Sequence, residues 1–302
     1  MINEGFEGAF IALGTFDGLH IGHKAVITSE KTEYERKIAL MFKEHPQVTL
    51  KGKHPGILMT PHKEMTLLKA WGVEAEYIDF NEVSSLSPEA FVDEILVKKY
   101  NAQSIACGFN YRFGKGAQGD VNALRALCAE REIKLTVVDE VDYMGEPVSS
   151  TRIRKAIARG DMKSANDMLG RFYSYDFEVR HGDERGRILG SPTINQFFMK
   201  DFCVAEFGVY ASFTQVDGVK YPSVTNIGVR PTIEGVSEKR SETNIIGFEG
   251  DLYGKHPEVF IIEKIRGELK FQSLDELSAQ IAEDRQQALR ILEKVSDYGV
   301  QK

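Results

Sequence analysis

The chain has 302 residues, 42% of them hydrophobic and 27% charged, an ordinary globular composition with room for two packed cores of about 150 residues each. Its formal net charge of −7, from 38 basic and 45 acidic residues, lacks the basic footprint of a nucleic-acid binder, whereas an anionic small molecule needs only a few local donors. Cys107, Cys128 and Cys203 are widely spaced with no CxxC pair, no run approaches the ~18 apolar residues of a membrane span, and the acidic N-terminus is unlike a signal peptide, so a cytoplasmic protein is expected, without disulfide framework, nucleic acid or membrane.

From residue 8 to about 143, short apolar runs alternate with amphipathic stretches. Residues 9–16 (AFIALGTF) read as a strand, 23–37 as a helix, 38–42 (IALMF) as a strand, 61–72 as a helix and 74–80 (EAEYIDF) as a strand. A helix over 88–100 with Pro88 in its first turn, a buried strand over 103–109, a helix over 120–132 and a strand over 134–141 continue the series. The alternation predicts a doubly wound α/β domain with a parallel sheet. Two short helices, 150–160 and 162–170, close on Gly160 and Gly170 where left-handed caps belong, and look like a bridge. After Arg171 the pattern turns to period-two strands and glycine turns, which favours a small antiparallel β-barrel. The stretch 273–295 places Leu274, Leu277, Ile281, Ala288 and Ile291 at helical spacing behind a capping box of Ser273 and Glu276, predicting one long C-terminal helix on that barrel. The expected division is 1–175 and 176–302, with the boundary in the Phe172 to Asp176 region.

Two segments carry candidate chemistry. Gly14-Thr15-Phe16-Asp17-Gly18-Leu19-His20-Ile21-Gly22-His23 follows the first strand and opens a helix, where α/β sheets bind nucleotides. Its glycines let backbone approach a phosphate chain, and imidazoles three residues apart share a helix face. A glycine turn with two incidental histidines is the plain alternative, and a zinc site on His20 and His23 lacks a nearby third ligand. The second segment, Val148-Ser149-Ser150-Thr151-Arg152-Ile153-Arg154, joins three hydroxyls at a helix start to two arginines, either a simple N-cap or the far wall of a nucleotide cleft.

The motifs at 14–23, GFNYRFGKGAQGD at 108–120 and VSSTRIR at 148–154 resemble the FMN adenylyltransferase module of bacterial FAD synthetases, a Rossmann-like HxGH nucleotidylyltransferase. HGDERGRILGSPTIN at 181–195, NIGVRPT at 226–232 and FEGDLYG at 248–254 resemble the riboflavin kinase half of the same bifunctional family. The resemblance covers essentially the whole chain. It implies that FMN attacks the α-phosphorus of ATP in the first domain and that riboflavin is phosphorylated with ATP and Mg²⁺ in the second. Its substrates would be ATP, FMN and riboflavin. His20 and His23 would hold the ATP phosphates beside the loop Gly14, Thr15, Phe16, Asp17 and Gly18, with Ser149, Ser150, Thr151 and Arg152 on the triphosphate side. Asn110 and Arg112 would bind the flavin or its phosphate, while Phe109, Tyr111 and Phe113 either face the flavin ring or belong to the core. In the second domain Gly182, Arg185, Gly186 and Arg187 would form the phosphate loop, Thr193 and Asn195 would bind the metal, and Glu242 would be the general base.

The second half departs from the family. GFPTAN is usual where this chain has Gly190-Ser191-Pro192-Thr193-Ile194-Asn195, and Glu-x-His with a following acid is usual where it has Glu242-Thr243-Asn244-Ile245-Ile246-Gly247. A monofunctional adenylyltransferase with a structural or flavin-binding second domain is therefore the alternative to a bifunctional enzyme. A flavin sensor without turnover is a third reading.

Overall fold

A computed structural model describes residues 6–181, 193–230 and 238–295. The chain divides into two compact units, 1–57 with 61–150, and 58–60 with 151–302.

The first unit is built on five parallel strands, β1 (Phe6–Leu13), β2 (Tyr34–Phe42), β3 (Glu74–Ile78), β4 (Ala102–Gly108) and β5 (Lys134–Val138), in the order β3-β2-β1-β4-β5. Strands buried on both faces read as near-continuous apolar runs, and Ile11, Ala12, Ile38, Ala39, Ile105 and Ala106 are wholly buried. The order reverses between β1 and β4, so the crevice beyond the carboxyl ends of these two strands is where such a sheet takes its ligand.

Its helices are α1 (Ile21–Ile27), α2 (Pro46–Lys51), α3 (Pro61–Ala70), α4 (Phe80–Val83), α5 (Pro88–Ala90, widening into a π-helix over Phe91–Lys99) and α6 (Val121–Glu130). The expected helix over 23–37 is corrected: α1 ends at Ile27, and residues 34–37 belong to β2. Charged Tyr34–Lys37 has a helix-forming sequence, but Arg36 and Lys37 pair with Ala9 and Phe10 of β1, and sheet pairing outweighs local propensity.

Between α1 and β2, Glu30 accepts from the Thr32 amide, the Ser104 hydroxyl and the Lys134 ammonium at 2.9, 2.9 and 2.8 Å. Burial pushes its carboxyl up, and these donors together outweigh that effect, holding it at about 2.

The second unit begins with α7 (Ser150–Ala158, of which Ser150 belongs to the first unit) and α8 (Met162–Leu169), ending on Gly160 and Gly170 at φ of 71° and 65°. The division by compactness thus falls before these helices, upstream of Phe172. The reason is visible at Asn166, whose side-chain amide donates to Ile261 O and Ile262 O at 3.1 and 3.4 Å and accepts from Tyr173 N at 2.7 Å.

Among the described residues seven strands follow, β6 (Tyr173–Tyr175), β7 (Val179–Arg180), β8 (Ile194–Phe197), β9 (Gly208–Val216), β10 (Val219–Arg230), β11 (Glu238–Ile245) and β12 (Glu258–Arg266). They form an antiparallel sheet in the order β6-β12-β9-β10-β11-β8-β7. Val216 pairs with Val219 across Asp217 and Gly218, both at positive φ, a tight hairpin turn whose twist matches the flanking strands.

The two faces of this sheet differ. On one, Ser212 meets Thr225 at 2.8 Å, Thr214 meets Ser223 at 2.8 Å and Thr225 meets Thr243 at 2.9 Å, a band of wholly buried hydroxyls that satisfy one another. On the other, Ala211 and Val224 pack with Ala288 and Leu292 of the C-terminal helix α9 (Leu274–Glu293). Ser273 caps α9 by accepting from Glu276 N at 3.2 Å, and Glu276 reaches back to Gln272 N at 2.9 Å. Leu274, expected on the apolar stripe, is 67% exposed, because the first turn of the helix overhangs the packed region.

Candidate functional sites

The first site lies beyond β1 and β4. After Leu13 the chain turns through Phe16 and Leu19, both at positive φ and both buried, with Gly18 at φ 83° between them. These buried side chains fix the loop so that His20 becomes the N-cap of α1, its Nδ1 accepting from His23 N at 3.3 Å. That bond leaves Nε2 as the protonated nitrogen of a neutral His20 ring. His20 and His23 stack with centroids 3.5 Å apart, and Phe16 meets His23 edge-on at 5.5 Å. Gly14 and Gly22 lie under these rings: a Cβ would come within 2.8 Å of the Phe16 ring and 3.2 Å of the His20 ring.

Ser150, the first residue of α7, donates its hydroxyl to Asp17 O at 2.7 Å, so the second motif is fastened to the first, and Ser149 precedes it. Thr151 and Arg152 continue the first turn of that helix. At the end of β4, Gly108 leads into a turn closed by Tyr111 N to Gly108 O at 3.1 Å, which presents Asn110 and Arg112 as exposed side chains. Of the nearby aromatics, Phe113 is core and Tyr111 packs on that core, whereas Phe109 is 45% exposed.

Sequence reasoning missed a group of titratable residues beside Asp17. His45, the N-cap of α2, sets Nε2 3.6 Å from Asp17 Oδ2 and packs edge-on to His54 at 5.6 Å. Glu64 of α3 accepts from the Tyr77 hydroxyl at 2.6 Å. Burial raises the Glu64 carboxyl, the Tyr77 bond opposes the rise, and the charge of Asp17 adds to it. The His45-Pro46 dipeptide after an apolar run was the available signal, since β2 neighbours β1 and must end beside the same crevice. Among the described residues no group of three or more His, Cys, Asp or Glu is placed to hold a metal ion, so the zinc reading of His20 and His23 has no third ligand there.

The second site is a polar row on the face of the sheet that α9 covers farther along. Register pairs Asn226 of β10 with Glu242 of β11, Glu242 with Asn195 of β8, and Asn195 with Arg180 of β7. Directly opposed residues have Cβ atoms about 5 Å apart, so Asn195 and Glu242 are side-chain neighbours although 47 positions separate them in the sequence. Thr193 immediately precedes β8, two residues before Asn195. Asn195 is buried, and its Oδ1 has no hydrogen-bond partner among the described residues. Glu242 is ion-paired with Arg240. Gly182, Arg185, Gly186 and Arg187, expected to form the phosphate loop, lie outside the described residues.

Comparison with known proteins adds the family. The model described as FAD synthetase matches residues 2–152, and that described as riboflavin kinase matches residues 169–292. Proteins named bifunctional riboflavin kinase/FMN adenylyltransferase from Bacillus subtilis and Listeria monocytogenes are 36% and 34% identical, over 96% and 95% of this chain and 94% and 93% of theirs. The Escherichia coli protein of that name is 33% identical over 92% of this chain and 91% of its own. A solved Streptococcus pneumoniae structure described as a macrolide-efflux protein superposes with a TM-score of 0.85 at 29% identity, covering 94% of each chain. Among the described residues no helix is long and apolar enough to cross a membrane.

Proposed function

Since the chain belongs to the bifunctional riboflavin kinase/FMN adenylyltransferase family, matched over both of its parts, we propose that it makes FAD from riboflavin in two ATP-dependent steps. In the second unit a ribityl hydroxyl oxygen bonds the γ-phosphorus of ATP, the bond from that phosphorus to ADP breaks, and the hydroxyl proton passes to Glu242. In the first unit a phosphate oxygen of FMN bonds the α-phosphorus of a second ATP and pyrophosphate departs. Neither step needs a protein nucleophile, so positioning and charge neutralisation supply most of the rate.

For adenylyl transfer, His20 and His23 bind the ATP phosphates from one side of α1, with the loop 14–18 and Ser149 and Ser150 beside them. Asn110 and Arg112, exposed at the end of β4, take the flavin phosphate end. For the kinase step, the buried Oδ1 of Asn195 is a hard neutral oxygen without a hydrogen-bond partner among the described residues, which fits Mg²⁺. Thr193 and Asn195 would hold that ion, which when bound screens the charge of the ATP phosphates. Free thiols at Cys107 and Cys128 and phosphorylated small-molecule substrates suit a cytoplasmic enzyme.

The observation that carries the two-activity reading over the one-activity alternative is the register that sets Asn195 opposite Glu242. Despite Ile194 and Asn244 in this chain, Asn195 and Glu242 share one sheet face. The test gives purified protein Mg-ATP with riboflavin or with FMN and resolves the flavins chromatographically. The expected result is FMN followed by FAD from riboflavin, and FAD with equimolar pyrophosphate from FMN. FAD from FMN with no FMN from riboflavin would leave a monofunctional adenylyltransferase, and flavin binding with no product at all would leave a sensor.

A further inference from the structure

Glu242 does not stand alone on its face of β11. Arg240, two residues earlier and on the same face, is paired through Nη2 to Glu242 Oε1, with side chains 12% and 32% exposed respectively. The guanidinium is therefore the buried partner and the carboxylate the one that reaches the open part of the row. Register sets Arg240 against Phe197 of β8 and Gly228 of β10. Gly228 presents no side chain there, and the nearest group to a Cβ built on it is Glu268 Oε1 at 2.8 Å. Arg240 thus stands opposite Phe197 and the bare backbone of Gly228 and is ion-paired with Glu242, and a planar guanidinium in that setting has few orientations in which to donate.

The family's usual histidine two residues after the base is replaced by Asn244, a neutral and buried side chain on the same face. The group that grips the base in this chain comes from the other direction along the strand.

We propose that Arg240 is a positioning residue for riboflavin phosphorylation: its buried guanidinium fixes the Glu242 carboxylate in the orientation that accepts the proton of the ribityl hydroxyl. The inference rests on the reading of Glu242 as the base. A carboxylate on a free two-carbon stem samples several rotamers, and misplacement by about 1 Å costs on the order of a hundredfold in rate.

The test uses the full chain with Arg240→Ala, Arg240→Lys and Glu242→Gln, measuring kcat and KM for riboflavin phosphorylation and, in the same preparations, FAD formation from FMN. Arg240→Ala is expected to lower the kinase kcat by about 10- to 100-fold with KM for riboflavin and ATP unchanged. Arg240→Lys, which keeps the charge but not the planar fork, should recover part of that loss, and FAD formation from FMN should stay at the parent level. A kcat that is unchanged or raised in Arg240→Ala overturns the proposal, the second result because it makes the ion pair a restraint on the base. A raised KM with intact kcat also overturns it, by assigning Arg240 to substrate binding. If Glu242→Gln keeps the parent kcat, the reading of the base fails, separately from that of Arg240. Should Arg240→Ala unfold the second unit, Arg240→Gln, which keeps a hydrogen-bonding end without charge, gives the same comparison.

Discussion

Gly22 sits under an imidazole, and that contact makes the placement of His20 testable. Gly22→Ala puts a Cβ 3.2 Å from the His20 ring, which must shift by a few tenths of an ångström. The expected outcome is a fall of about tenfold in kcat/KM for FMN adenylylation, with riboflavin phosphorylation unchanged, measured by flavin chromatography on one preparation. Cys107 and Cys128 offer a second check. Both are buried, and burial pushes their thiols up to about 11, so at pH 8 iodoacetamide should leave both unmodified in the native protein and label them on unfolding, as read by mass spectrometry. Single residues were legible where their spacing along the chain is also their spacing in space. His20 and His23 share one helical turn, and Ser149 and Ser150 stand at a helix start. His45 beside Asp17, and Arg240 gripping Glu242, were not legible, because the first is a contact between neighbouring strand ends and the second is a side-chain choice that alternation permits without requiring.

At the scale of elements, α9 is fastened to β12 by one ion pair. Arg266 donates to both carboxylate oxygens of Asp284, Nε to Oδ1 at 2.9 Å and Nη2 to Oδ2 at 2.7 Å, and the Asp284 side chain is 4% exposed. Removing Arg266 strands that buried carboxylate, so Arg266→Ala should destabilise the second unit by about 3 kcal/mol in urea unfolding, and Asp284→Ala added to it should cost less than Asp284→Ala alone. The hydroxyl band on the opposite face gives a smaller number. Thr225 bridges Ser212 and Thr243, and Thr225→Val keeps the shape but leaves both neighbours short of a partner, for an expected cost of about 1 to 3 kcal/mol. Elements were read correctly where the apolar period was unambiguous, as in β4 and α9, while β1 was found but placed at 9–16, three residues late of its Phe6–Leu13 span. The start of β2 was misread because Glu33 to Lys37 looks helical until β1 is beside it. Strand β11 was not singled out from its composition, since Glu238–Ile245 alternates charged residues with hydroxyls and shows no apolar face.

At the scale of the whole molecule, acid tests the first unit through Glu30. Its carboxyl is held at about 2 against an ordinary value of 4.5. A depressed carboxyl stabilises the folded state above its unfolded value, and that stabilisation fades as pH falls from 4.5 towards 2. Glu30→Gln should therefore flatten the pH dependence of unfolding over that window while changing the second unit little, followed by urea melts at several pH values. The sequence by itself determined the class of each half, the order of the motifs, the α/β alternation and the capped terminal helix, because these depend on periodicity and on residues within a turn of one another. Only the tertiary structure decided which strands meet. The order β3-β2-β1-β4-β5 puts the loops after β1 and β4 on one crevice, and antiparallel register sets Asn195 against Glu242 across a strand pair. The physical reason is that register in a sheet is fixed by burial of whole faces, a property of the packed molecule that no local stretch of sequence contains.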